Sequence, residues 1–350
     1  MATFSTNHLS RILVPARVPV QIRRIDMSIS TPLTTLLGIE HPILLAPMDI
    51  VSGARLTAAV SNAGGFGILG GGYGDKAWLE QEIAKLKQLA PAHFGVGFIT
   101  WSLAKQPDLL DLALSARPRA IFLSFGDPKQ FASRIRDAGA LMICQVQDEQ
   151  LARQALDAGA DILVAQGSEA GGHGASRTTL DIVPAIVDLA AGRVPVVAAG
   201  GLGDGRGLAA MMMLGAAGVL LGTRFYASQE ADGAEEAKKR ICAATGGSTT
   251  RGLIFDISRD HVWPSPFTGR CLINDHSRRW AGRELELLQD KTATAEYMAA
   301  RATRNFDIAA VIAGSGVGLI HDIPPAAEVV DRIMTEADQI LHGRRNSSAA

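Results

Sequence analysis

Asp157-Ala158-Gly159-Ala160-Asp161-Ile162-Leu163-Val164-Ala165-Gln166-Gly167 reads as a helix stop, a short run without a polar side chain until its end, and a glycine turn. Glycine just past the last periodic residue suits a left-handed helix stop. A brief apolar run bounded by turn residues suits a strand buried on both faces, as parallel sheets require. Leu214-Gly215-Ala216-Ala217-Gly218-Val219-Leu220-Leu221-Gly222 repeats the phrase, so one unit is used serially. Working outward from these two copies, runs of the same kind stand at 43–46, 66–69, 94–98, 120–123, 141–145, 162–165, 194–198 and 218–221. Between them, segments such as 54–63, 76–89, 149–158 and 207–214 carry apolar residues at spacings of three and four and end in Asp, Ser or Gly, as crossover helices do. Eight β-α units in about 180 residues match a closed barrel, whereas a doubly wound open sheet usually has fewer strands. The expected fold is α/β, a (β/α)8 TIM barrel over 28–225. A C-terminal helical and cap extension over 226–345 is expected to cover the mouth and pack on the barrel.

The chain has 350 residues, 47% apolar, 20% charged and 5% aromatic, which excludes a disordered or fibrous protein. Thirty-four Lys and Arg against thirty-five Asp and Glu leave a net charge of -1, so no global field recruits polyanions or an anionic membrane, and neither partner is expected. Cys144, Cys242 and Cys271 lack the spacing of a zinc knot or a disulfide frame, which fits a reducing compartment and no metal. No apolar run reaches the roughly 18 residues of a membrane span. A cytoplasmic location is expected. Residues 1–27 differ, with Arg11, Arg17, Arg23 and Arg24 against Asp26 alone and prolines at 15 and 19, and read as a disordered basic extension.

In such barrels the chemistry sits at the carboxyl ends of the strands. After the seventh run comes Ala199-Gly200-Gly201-Leu202-Gly203-Asp204-Gly205, and after the eighth Gly222-Thr223-Arg224. Glycines there let backbone N–H groups close on an anion, and the following helix adds its positive end. The loops after strands seven and eight hold phosphate in many barrels. The sixth strand runs into Gln166-Gly167-Ser168-Glu169-Ala170-Gly171-Gly172-His173-Gly174, an imidazole on a bare backbone beside an amide and a carboxylate. His173 there can serve as a base near neutral pH or hydrogen-bond an anionic substrate. Glu169 either orients this loop or only caps it. No nucleophile elbow is present, and His173 has no His or Cys neighbour at ligand spacing.

These residues carry a resemblance. Ala46-Pro47-Met48, Ser61 through Gly67, Gln166 through Gly174, Ala199-Gly200-Gly201 and Gly222-Thr223 together resemble the nitronate monooxygenase family, the former 2-nitropropane dioxygenases, over roughly 36–341. The phrases Phe255-Asp256, Trp263-Pro264, Phe267 to Arg270 and Gly314 to Leu319 are similar to those of bacterial members. The resemblance implies an FMN-dependent TIM-barrel flavoprotein. FMN phosphate would lie on Gly200, Gly201, Gly222 and Thr223, with Ala46, Pro47 and Met48 along the ring and Gln166, Gly171 and Gly172 at the flavin or its ribityl chain. Gln145, at the end of the fifth strand, faces the same centre. His173 matches the family's catalytic residue. The implied reaction is oxidation of an alkyl nitronate by O2 to a carbonyl compound and nitrite, without a metal. The small-molecule substrate and O2 are the expected partners, and the apolar helices after Phe306 are compatible with a homodimer.

One departure stands out: many members carry Asn at the end of the third strand, where this chain has Gly97. Trp101 beyond it is open between covering the substrate and packing under the cap, and Phe98 and Phe125 between pocket wall and core. The same glycine and histidine loop also serves a related NAD(P)H-dependent flavin reductase, of quinone-reductase or enoyl-ACP-reductase-II type. A flavin-free barrel acting on a phosphorylated metabolite is the remaining alternative.

Overall fold

The computed structural model describes residues 29–261 and 263–343, so the 1–27 extension lies outside the described residues. Eight parallel strands form the sheet: β1 Ile43–Leu45, β2 Ile68–Gly70, β3 Gly95–Ile99, β4 Ala120–Ser124, β5 Leu141–Val146, β6 Ile162–Gln166, and, after a short β7 Gly172–Gly174 outside it, β8 Val196–Ala199 and β9 Gly218–Leu221. Their order is β1-β9-β8-β6-β5-β4-β3-β2. Closure comes from Phe66, just ahead of β2, whose carbonyl accepts from Leu45 N–H and whose N–H donates to Ile43 O, both at 2.9 Å. The expected barrel is present, and each expected run falls on or against a strand.

The period of two along the strands divides the core. Leu44, Phe66, Ile68, Phe122, Ile143, Ile162, Val164, Val197 and Leu220 fill the barrel interior, and Leu33 and Leu37 of the helix Pro32–Leu37 join them as its floor. The alternate residues, among them Leu45, Val96, Phe98, Ile121, Leu163 and Val219, pack outward against the helices. Phe98 is therefore core between barrel and helices. Each such side chain contributes on the order of 1.5–3 kcal/mol when fully buried. The outer ring is completed only after a long excursion, by Ala326–Leu341, which packs on Gly205–Met213 and Ala54–Asn62 through a stripe that includes Val330, Ile333, Met334 and Ala337.

The excursion between β9 and that helix contains Glu235–Ala243, β10 Thr249–Gly252, Ile254–Ser258, β11 Thr268–Leu272 and the helices Asp275–Trp280, Glu284–Gln289 and Lys291–Ala302. β10, β11 and β7 form a second, antiparallel sheet. Thr268, Gly269 and Arg270 pair with Gly174, His173 and Gly172. The excursion thereby takes hold of the turn after β6 and fixes where His173 stands. Among the described residues no helix is long and apolar enough to cross a membrane.

Candidate functional site at the barrel mouth

The inward positions narrow in size toward the carboxyl ends of the strands. Continuing the period of two above Leu44, Phe122, Ile143, Val164, Val197 and Leu220 brings up Ala46, Ser124, Gln145, Gln166, Ala199 and Gly222. Four have little or no side chain and two are amides. Gly97 also faces inward, and a Cβ there would lie 2.4 Å from Pro47 Cβ, so the proline ring occupies the space an Asn would need. Met48 and Ala46 flank Gly222, 3.5 and 3.6 Å from where its Cβ would be. Gln145 is half-buried and lines a small cavity with Phe125 and Gln147.

Gln166 is committed at both ends. Its Nε2 donates to His173 O at 3.0 Å, and its Oε1 accepts from Gln147 Nε2 at 2.8 Å. Gln147 Oε1 is buried without a partner among the described residues. On β7, His173 directs Nε2 to Asp256 Oδ2 at 2.9 Å, and both residues are buried. Asp256 Oδ1 in turn accepts from Arg259 Nη2 at 2.5 Å. Trp263 lies flat on the imidazole, ring centroids 3.5 Å apart and planes 7° from parallel, and its Nε1 donates to Tyr73 Oη at 3.2 Å. Trp101, Phe125, His261 and Phe267 complete an aromatic surround, with Phe125 5.1 Å from Trp263 and 5.0 Å from Phe267. Trp101 belongs to this wall and keeps a buried Nε1 without a partner among the described residues.

Burial holds His173 below the ordinary histidine value, and the positive charges of Arg259 and Arg251 add to this against the opposing pull of Asp256. Burial would raise Asp256, but its hydrogen bond to His173 and the charge of Arg259 keep it low, hence ionised. A carboxylate cannot donate, so the pair assigns the proton to Nε2 of a neutral imidazole. Nδ1, with no partner among the described residues, keeps its lone pair. This arrangement can accept a proton and then stabilise the cation it forms.

The glycine loops meet on the other side. Gly200 and Gly201 take φ of 111° and 72°, where glycine carries no Cβ penalty. The N–H groups of Gly200, Gly201 and Gly222 donate to nothing among the described residues. Thr223 Oγ1 accepts from Gly314 N at 2.9 Å, and a Cβ on Gly171 would lie 2.7 Å from the Ala313–Gly314 backbone, which joins Gly171 and Thr223 to the segment 313–315. The expected contribution of the next helix dipole is corrected here. Asp204 Oδ1 accepts from Gly207 N at 3.2 Å and Glu336 Oε2 from Gly205 N at 2.7 Å, so carboxylates already occupy the positive end of Gly205–Met213. Glu169 likewise caps Thr179–Ala190, accepting from Thr179 N at 2.8 Å and Oγ1 at 2.9 Å.

The donor set suits a flavin mononucleotide. Free loop amides suit a phosphate, the small floor suits a flat ring, and the amides of Gln145, Gln147 and Gln166 suit its polar edge. The structure thus brings Ala46, Met48 and Gly222 together, sets Pro47 against Gly97, joins Gln166 and Gly172 to His173, and gathers Gly171, Gly201 and Thr223 under 313–315, with Gly200 against Gly167, Ala170 and Thr179. Sequence reasoning assigned no role to Asp256, Arg259, Arg251, Tyr73 or His261. Asp256 stands 83 residues from His173, beyond any motif window. The phrases Phe255-Asp256 and Trp263-Pro264 were the available signal.

The family model described as nitronate monooxygenase matches residues 30–117 and 103–336. The (3aS,4S,5R,7aS)-5-hydroxy-7a-methyl-1-oxo-octahydro-1H-indene-4-carboxyl-CoA dehydrogenase of Mycobacterium tuberculosis is 31% identical over 89% of this chain and 97% of its own. A nitronate monooxygenase of Metarhizium robertsii is 33% identical over 85% of this chain and 91% of its own. Among solved structures, FabK from Thermotoga maritima superposes with a TM-score of 0.79 at 30% identity, covering 90% of this chain and 98% of that one.

Proposed function

The chain belongs to the nitronate monooxygenase family, and from that premise we propose that it is an FMN-dependent oxidoreductase that oxidises alkyl nitronates with O2 to carbonyl compounds and nitrite. The observation that carries this reading is the His173–Asp256 pair, a neutral imidazole with Nδ1 bare, buried among aromatic rings. Gly200, Gly201, Gly222 and Thr223 would hold the FMN phosphate, Ala46, Pro47 and Met48 the side of the ring, and Gln145, Gln166, Gly171 and Gly172 its polar edge and ribityl chain. When bound, FMN supplies the electron acceptor for nitronate oxidation and passes the electrons on to O2.

His173 Nδ1 takes the α-proton from the neutral nitroalkane that equilibrates with the nitronate. Asp256 stabilises the resulting imidazolium through Nε2, and Nδ1–H now donates to a nitronate oxygen, which keeps the substrate anionic and in place. Trp263, Phe125 and Phe267 exclude water, which strengthens both interactions. His173→Asn tests this reading: it retains FMN and loses most turnover of 2-nitropropane, whose α-proton His173 removes, and full activity in that variant would remove His173 from the chemistry.

A second reading is supported by similarity over 97% of the length of a carboxyl-CoA dehydrogenase. In it the same loops would hold FMN, which would supply hydride exchange between NAD(P)H and a quinone or an enoyl thioester, with His173 as the proton donor. Bleaching of the bound flavin by NADH in the absence of oxygen favours it.

A further inference from the structure

The geometry points to Arg251 as a positioning residue, a clamp that holds the His173 turn in one conformation. The inference rests on the proposed function only in taking His173 as the group to be placed.

Arg251 lies on β10, in register with Arg270 of β11. Its guanidinium reaches over the turn after β6. Nη2 donates to Ser168 O at 3.0 Å and Ala170 O at 2.9 Å, and Nε to Ser168 O at 3.2 Å. Nη1 serves Gly174 O at 3.2 Å, Gly172 O at 3.4 Å and Thr268 O. All three nitrogens are spent on carbonyl oxygens, and no carboxylate hydrogen-bonds to Arg251 among the described residues. A guanidinium removed from water is costly unless its donors are met. Here all but the bond to Thr268 O of β11 are met by one turn, in the shape that turn has, so each stabilises the other.

The turn needs such a partner. Gly167, Gly171, Gly172 and Gly174 flank His173, and Gly172 sits at φ 71°. Glycine-rich backbone gives up more freedom than any other when ordered. A Cβ on Gly174 would lie 3.2 Å from Arg251 Nη2, so the bare backbone is also what lets the guanidinium close in. Arg270 adds one bond, Nε to Ser168 O at 2.9 Å. The imidazole is therefore placed from two sides, through its ring by Asp256 and through its backbone by Arg251.

Arg251 also bears on the His173 proton. The charged and titratable groups facing His173 are Asp256 of Ile254–Ser258, Arg259 and His261 just beyond it, and Arg251 of β10. Arg251 disfavours the imidazolium by charge alone, whereas its grip on the turn depends on the fork of donors. Arg251→Lys keeps the charge and loses the fork, and Arg251→Met loses both.

The test combines amide hydrogen exchange by mass spectrometry with the pH profile of 2-nitropropane oxidation, on wild type and both variants with FMN bound. Both variants exchange roughly ten-fold faster across 168–174 while β3 to β5 exchange as in wild type. kcat falls roughly ten- to hundred-fold with KM within about three-fold, as expected for a misplaced base. The acid limb of kcat/KM moves to higher pH in Arg251→Met and stays in place in Arg251→Lys. Unchanged exchange over 168–174 in Arg251→Lys, or a loosened turn with undiminished kcat, overturns the clamp. Should Arg251→Met not fold, Arg251→Lys decides alone. If wild type turns over no nitronate, the proposed function falls and the exchange data alone judge the clamp.

Discussion

Asp256→Asn is the substitution that bears most directly on how His173 works. The carboxylate is buried, accepts from His173 Nε2 at 2.9 Å and from Arg259 at 2.5 Å, and stabilises the imidazolium that proton transfer creates. An amide can accept one of these bonds but carries no charge, and if its NH2 faces the ring it selects the Nδ1–H tautomer, which is no base. A hydrogen bond to a charged partner contributes about 1.5–3 kcal/mol, and at 1.36 kcal/mol per decade this corresponds to roughly a ten- to hundred-fold fall in kcat/KM. The pH dependence moves as well. His173 must be neutral to act, so activity rises as pH climbs through its pKa, which burial already holds below 6.5. Asp256 pulls that value upward, so its loss moves the acid limb to still lower pH on a lower plateau. The assay is oxidation of the neutral nitroalkane 2-nitropropane across pH, with flavin content and Tm measured alongside to separate chemistry from folding. A variant with wild-type kcat/KM and an unmoved acid limb would refute the role of Asp256 and with it the assignment of the proton to Nε2.

Gly97→Asn brings a Cβ to within 2.4 Å of Pro47 Cβ, so overpacking of about 1–3 kcal/mol is expected, seen as a lower Tm and a lower flavin content on purification. Stability falls on acidification below about pH 6.5, because His41, His173, His261 and His276 are all held low by burial while the unfolded chain binds their protons. Thermal melts across that window check it, and a Tm independent of pH from 7 down to 5 would refute it. Cys271 is fully buried with its thiol pushed up to about 12, and Cys144 likewise, so a native thiol titration registers no more than Cys242 and the denatured chain all three.

The barrel was legible because parallel strands buried on both faces leave uninterrupted apolar runs, and glycine marks the helix stops before β6 and β9. The second strand was placed early because Phe66 belongs to the closing bridge and not to the ladder with β3. β7 was not legible at all: Gly172-His173-Gly174 has no strand propensity and is extended only because β11 pairs with it. The same excursion delivers Asp256, Arg259 and Trp263 to a histidine far away in sequence, and no local period encodes that meeting. The glycine loops were legible as loops, but the capping of Gly205–Met213 by Asp204 and Glu336 was not, since Glu336 arrives from the last helix. Gly97 read as a departure from a pattern, and the structure gives it a cause in the Pro47 ring.

Mixing the purified protein, charged with FMN and free of oxygen, once with propyl-2-nitronate and once with NADH while following the flavin's visible absorbance separates nitronate oxidation from flavin reduction. Bleaching by the nitronate, together with indifference to NADH, is the predicted result. Bleaching by NADH with no response to the nitronate would contradict it and place the chain among the flavin reductases.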